Sequence, residues 1–253
     1  AATYPTMLGE EIGIWDYIVA DVHEPEIAWG AAGSNFLVIW RLSGWHLGDI
    51  VQAVYVKDAF PYGDRATLGY PEIAPLDPLQ NDCSLAKVAY DPTAEAYVVV
   101  FNYREGSTTL SPYSVYMQRV EPEFVSVYEP AFNGEPPIPV ETDRSFSGHY
   151  YPNIIDAGPG KGMLLTYSSF ALNPPSSTWY LYTRTLNGTH LSPRQLVRTS
   201  PEEDAIEDAV LAAGADADPA LLIWREEVTG DDWDILGQWV RSAFTTYIPF
   251  LSK

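Results

Sequence analysis

Lys87-Val88-Ala89-Tyr90, then Asp91-Pro92-Thr93-Ala94-Glu95, then Tyr97-Val98-Val99-Val100-Phe101: a short apolar strand, a turn of breakers, and a longer apolar strand closed by an aromatic residue. The same unit occurs three more times. Glu26-Ile27-Ala28-Trp29 leads through residues 31–35 to Phe36-Leu37-Val38-Ile39-Trp40, and Asn153-Ile154-Ile155 through residues 157–161 to Met163-Leu164-Leu165-Thr166-Tyr167. In the fourth, Ala209-Val210-Leu211 leads through residues 214–218 to Leu221-Leu222-Ile223-Trp224. From the apolar residue of the short strand to the closing aromatic the spacing is 13 in the first three units, and 14 when counted from Val210 in the fourth. Self-similarity of this kind marks a repeat architecture.

Outward from that core, each unit continues through a polar loop into a third strand: Asp49–Val54, Ser114–Val120, Tyr180–Leu186 and Asp234–Val240. The last three alternate with a period of two, as a strand between unlike environments does, whereas the second strands are almost continuously apolar and should be buried on both faces. Weaker fourth strands are read at Ile138-Pro139-Val140 and Gln195-Leu196-Val197, the proline confining the former to an edge. The closing aromatics lie 61, 66 and 57 residues apart, more than a compact blade of roughly 40–45 residues requires, so the surplus sits in loops. The expected fold is all-β: one small propeller over residues 1–253, with four blades of about four antiparallel strands and blade cores near 26–56, 86–120, 152–186 and 208–240. Closing such a ring requires terminal strands. Residues 12–19 (Ile12, Ile14, Trp15, Tyr17) and 245–251 (Tyr247, Ile248, Phe250) are two candidates for one vacancy; either one strand is spare and can pair with a neighbouring molecule, or each end packs on its own molecule.

Composition agrees. Of 253 residues, 46% are hydrophobic and 13% aromatic, with 17 Tyr, 8 Trp, 21 Pro and 18 Gly, which suits half-buried strands joined by tight turns and argues against disorder. The net charge of −20 repels phosphate backbones and anionic lipid, so nucleic acid is not an expected partner. A single cysteine, Cys83, excludes a disulfide scaffold. No apolar run is long enough for membrane insertion, and Ala1-Ala2-Thr3 reads as the small-residue remnant of a removed signal peptide. An extracellular or cell-surface location is therefore expected.

Ala220-Leu221-Leu222-Ile223-Trp224-Arg225 followed by Asp231-Asp232-Trp233-Asp234-Ile235-Leu236-Gly237-Gln238-Trp239-Val240 resembles a repeat of exported bacterial β-propeller proteins. There a hydrophobic strand ending in Trp precedes an Asp-Ile-x-Gly-Gln-x-Val-like strand. The resemblance covers roughly residues 12–250. It is sharpest in the fourth unit and loosest in the third, where Tyr167 and Arg184 stand for Trp and Gln. It implies fold and export and no single activity. Residues 247–253 are similar to an aromatic-proline tail of exported bacterial proteins.

Three kinds of site follow. Calcium, the one cofactor considered, would take the carboxylates of the acidic turns, Asp216 and Asp218, and Asp231, Asp232 and Asp234; the alternative is that these turns are simply solvated. Exposed tryptophan in loops suits sugar stacking, which singles out Trp45, Trp179 and Trp233, although core packing accounts for Trp equally well. No nucleophile elbow or metalloprotease helix is present, so no catalytic residue is assigned. The expected function is a non-enzymatic extracellular structural or adhesive module, a homo-oligomer or a binder of another surface protein or glycan. The alternatives are a lectin-like propeller and a propeller glycosidase.

Overall fold

The computed structural model describes residues 21–32, 34–43, 50–57, 60–68, 82–104, 111–121, 137–172, 177–201, 205–213, 219–229 and 232–241. The two terminal candidate strands, 12–19 and 245–251, lie outside them. The described residues form four antiparallel sheets in chain order. The first is β1 (Asp21–Gly30), β2 (Asn35–Ser43), β3 (Ile50–Lys57) and β4 (Phe60–Leu68); the second is β5 (Asp82–Asp91), β6 (Ala96–Arg104), β7 (Ser114–Val120) and β8 (Ile138–Glu141). The third is β9 (Gly148–Asp156), β10 (Met163–Ala171) and β11 (Thr178–Asn187), with β12 (His190–Leu191) and β13 (Gln195–Pro201) both on β11. The fourth is β14 (Ile206–Ala212), β15 (Ala220–Thr229) and β16 (Asp232–Val240). Both proposed fourth strands form, β8 with Pro139 on an edge and β13; β4 was not read from the sequence.

The repeat fixes how the sheets stack. Along each second strand the closing aromatic and alternate residues before it face the preceding sheet, and the residues between face the following one. Leu37 and Ile39 thus meet Tyr97, Val99 and Phe101 between the first and second sheets. Val98 and Val100 meet Leu165 and Tyr167 between the second and third, and Leu164 meets Leu222 and Trp224 between the third and fourth. Among the described strands, those of the first and fourth sheets make no comparable packing on each other.

Register corrects one position. Ile27 pairs Val38, Val88 pairs Val99 and Ile154 pairs Leu165; in the fourth sheet the matching pair is Leu211 with Leu222. Leu211 is in the core and Val210 on the opposite, exposed face, so the spacing to the aromatic is 13 in all four units. Three residues before each of these apolar positions stands a non-glycine residue in the left-handed region, at a bulge of the first strand: Glu24, Leu85, Tyr151 and Asp208. The bulge re-aims the inner strands, and β1 packs on β5, β5 on β9 and β9 on β14. Glu24 uses it to reach the next sheet, accepting from Arg41 Nη1 at 3.0 Å and the Leu85 amide at 3.1 Å.

Two glycines are demanded by close approach. A Cβ at Gly30 would lie 2.3 Å from Tyr97 Oη, which donates to the Asn35 carbonyl at 2.8 Å and Asn35 Oδ1 at 2.6 Å, pinning the second sheet to the first turn of the first. Gly162 has φ +73°, and its Cβ would lie 2.2 Å from both the Leu186 carbonyl and Asn187 Oδ1. Gly162→Ala is therefore expected to destabilise by about 1–3 kcal/mol, checked by urea denaturation, whereas Gly160→Ala, where a Cβ meets nothing within 4 Å, should cost less.

Candidate functional site

The ends of β2, β6, β10 and β15 and the starts of the strands that follow them share one rim of the array. The Tyr113 carbonyl accepts from the His149 amide at 2.9 Å where the second sheet meets the third, and the Ala205 carbonyl from the Glu227 amide at 3.1 Å within the fourth. Two of the three candidate sugar-stacking tryptophans are placed on this rim by their strands. Trp179 is half-buried, packed against Phe170 at 4.9 Å and Tyr150 at 5.8 Å between ring centroids, and belongs to the core margin. Trp233 is exposed, with the Arg225 guanidinium 4.2 Å over its ring. Arg225 is itself held by Glu207 and, at 3.2 Å, by Asp208. Trp45 lies outside the described residues.

Of the calcium candidates, Asp232 and Asp234 are on exposed β16, while Asp216, Asp218 and Asp231 fall outside the described residues, as do Ile12, Ile14, Trp15, Tyr17, Tyr247, Ile248 and Phe250. Among the described residues no group of three or more His, Cys, Asp or Glu side chains is placed to hold a metal.

The structure adds a polar network that sequence reading did not find. Glu141, buried at the end of β8, accepts from Tyr167 Oη at 2.9 Å, Arg194 Nη1 at 3.2 Å and the Asp143 amide at 3.1 Å. Arg194 also pairs with Asp143 at 3.2 Å and lies 5.2 Å over the rings of Phe146 and Tyr182. His149 bonds Ser169 Oγ at 2.7 Å and the Asp143 carbonyl at 3.2 Å. Burial pushes the Glu141 carboxyl up, but the Tyr167 hydroxyl, neighbouring His149, the Asp143 amide and Arg194 hold it below the usual carboxylate range. Burial lowers His149 below the ordinary imidazole value, against the opposing pull of the Glu141 charge. Burial likewise pushes Tyr167 far above the ordinary phenol range, helped by the Glu141 charge.

A hydroxyl beside a carboxylate and an arginine has the parts of a nucleophile and its base. Tyr167 is 0% exposed, however, and no reacting atom can reach it. The parallel cluster on β15 is equally closed: buried Glu226 accepts from Arg198 at 3.0 and 2.6 Å, Ser200 Oγ at 2.9 Å and Trp224 Nε1 at 3.1 Å. Both networks tie sheets together. Beside the first, a cleft of about 240 Å³ opens on the rim, lined by Tyr103, Tyr113, Tyr116, Asp143, Arg144 and His149.

The remaining surface feature is apolar. On the outer face of the fourth sheet Val210, Ile223, Ile235 and Trp239 are exposed, and an open groove of about 230 Å³ runs between Leu221, Ile223, Ile235, Gly237 and Trp239. On the outer face of the first sheet Ile27, Trp29 and Phe36 are exposed, the two rings 4.8 Å apart.

No family model matches the chain, and no curated protein matches it. Among solved structures it is similar to the Hadza microbial sialidase Hz136, with a TM-score of 0.59 and 11% identity over 87% of this chain and 46% of that one. The chain thus spans about half the length of that protein. At this identity the likeness speaks to fold alone: antiparallel sheets set face to face in the propeller manner.

The network has a pH signature. His149 is lowered in the folded state, so the unfolded chain binds the extra proton and stability falls as pH drops below about 6.5. Glu141 and Glu226, lowered from 4.5, and Asp143, lowered from 3.8, lose their contribution progressively as pH falls below those values and each is protonated. Urea midpoints measured from pH 7 to 3 should fall in both windows. His149→Gln should flatten the upper window and, because His149 also helps hold Glu141 low, reduce the Glu141 share of the lower one, and Tyr167→Phe should cost about 1–3 kcal/mol at pH 7.

Proposed function

We propose that this chain is a non-enzymatic association module of the cell exterior, a structural or adhesive subunit that works by packing its two apolar end faces against partners. One comparison carries the reading. Ile235 is 80% exposed, while the residues at the same position of the other third strands, Val51, Val115 and Leu181, are exposed by 0, 1 and 0% beneath the following sheet. Ile235 occupies a core position whose cover lies elsewhere. At roughly 1.5–3 kcal/mol for each large aliphatic side chain removed from water, a face of this kind is a strong drive to associate.

Chemistry elsewhere supports the reading. Glu141 and Glu226, the buried carboxylates with the richest surroundings, are saturated by donors, and Tyr167 is closed off. The first and fourth sheets of one chain meeting each other would give the closed four-bladed ring expected from sequence and would bury both faces; association takes them as open. A lectin-like reading has one specific observation behind it, the tyrosine-lined rim cleft with Asp143, Arg144 and His149, whose mixture of rings and charged groups suits a sugar.

Sedimentation at several protein concentrations tests the module. The mass should rise with concentration and, because copies carrying −20 repel one another, should rise further with added salt as the repulsion is screened. Ile235→Asp should abolish the rise with the fold intact by circular dichroism. A wild-type mass constant across concentration and salt, together with binding on a glycan array, would move the function to the rim cleft.

A further inference from the structure

Resting on that reading, we infer that the partner is a second copy of this chain, joined head to tail, with the outer face of its first sheet on the outer face of the fourth. The three interfaces inside the molecule supply the template. Each puts the following-facing side of one sheet on the preceding-facing side of the next, and the exposed apolar areas of the first and fourth sheets lie on one face of each kind, the first-sheet face being covered at Val38 and Trp40.

The match extends to residue type. The first sheet presents Leu37 and Ile39 of β2 with Val51 and Ala53 of β3 to its neighbour; the fourth presents Leu221 and Ile223 of β15 with Ile235 and Gly237 of β16 at the same register positions. On the receiving side, Val88, Tyr90 and Tyr97 of the second sheet pack against that face. Ile27, Trp29 and Phe36 hold the same positions in the first sheet. Ile27 is 60% exposed where Val88, Ile154 and Leu211 are exposed by 9, 3 and 5%. Val38 and Trp40, nearer the rim on that face, are already buried, which leaves the end of the sheet formed by Ile27, Trp29 and Phe36 to be covered.

Gly237 is the second observation. A Cβ there would meet nothing closer than the Leu222 carbonyl at 3.5 Å, and its counterparts are Ala53, Met117 and Thr183, so its own sheet does not call for glycine. A glycine inside a strand weakens it and commonly marks where something else approaches closely. Here it deepens the groove between Ile235 and Trp239, where a projecting side chain of the apposed sheet, such as Ile27 or Trp29, would seat. Unlike faces joined head to tail form a ring if the rotation closes and a filament if it does not.

Two single-face variants decide the matter by complementation. Ile27→Asp blocks the first-sheet face and Ile235→Asp the fourth-sheet face; both residues are exposed, and melting curves should confirm that both variants fold. Each variant alone is expected to stay monomeric at concentrations where the wild type assembles, a weakening of at least about tenfold, and their equimolar mixture should form a dimer of one of each and nothing larger. Gly237→Met, which fills the groove, should weaken wild-type assembly without loss of fold. If Ile27→Asp alone still dimerises, the fourth-sheet faces pair with themselves: association survives and the head-to-tail arrangement is overturned. If the wild type is monomeric throughout, both the arrangement and the association reading fall.

Discussion

The burial of the closing aromatic of the second, third and fourth units against the preceding sheet is the constraint on which the rest depends. Phe101, Tyr167 and Trp224 are each inserted between two sheets, and the alternation of a β-strand then leaves the intervening residues facing forward. That parity gives every sheet a front and a back, and an array built on it has a direction. The left-handed bulge in each first strand serves the same end: without the extra residue at Glu24, Leu85, Tyr151 or Asp208, the inner strands could not both pair within their sheet and turn toward the neighbouring one. Non-glycine residues in that conformation are strained, and the fourfold recurrence means the packing of the inner strands outweighs the strain each time.

Polar groups are buried between sheets only where many donors converge. Glu141 and Glu226 each sit at the rim end of a sheet interface, and each is surrounded by an arginine and side-chain hydroxyl or indole donors. A lone carboxylate in these positions would be protonated or would open the interface. Saturation keeps both ionised, and it also consumes the lone pairs a catalytic carboxylate would need. The same donors that make these glutamates tolerable in the core make them poor acids or bases.

Second strands, closing aromatics, the turn before each second strand and most of the third strands were legible because they follow from short-range pattern: continuous apolar runs, period two, and breakers at fixed offsets. The single-residue error at Val210 shows the limit. Val210 and Leu211 are both aliphatic, and a slip of one exchanges core for surface; only the pairing of Leu211 with Leu222 decides. The bulges left no signal, because Glu, Leu, Tyr and Asp share no residue preference and the conformation is imposed by tertiary packing. The Glu141 network joins β8, β9, β10 and the segment before β13 across more than fifty residues, which no local spacing reports. Trp233 was found by its loop context, and Trp179 by the same context proved to be core margin.

An array of like modules can end in two ways. Terminal modules can be polar on the outside, as capping repeats of solenoids are, or they can keep the interior pattern and leave its complement to be supplied. Here the pattern is kept: Ile223 and Ile235 at one end and Ile27, Trp29 and Phe36 at the other repeat the residue classes of the internal interfaces, and Trp239 adds an aromatic where the second and third sheets carry Arg119 and Thr185. Acidic charge elsewhere sets the counterweight. A chain carrying −20 resists indiscriminate contact with its own copies, so only a match good enough to bury several large apolar side chains at once overcomes the repulsion. In the head-to-tail arrangement proposed here, apolar ends on an acidic body would favour one mode of contact over the rest, with the internal interfaces as its template.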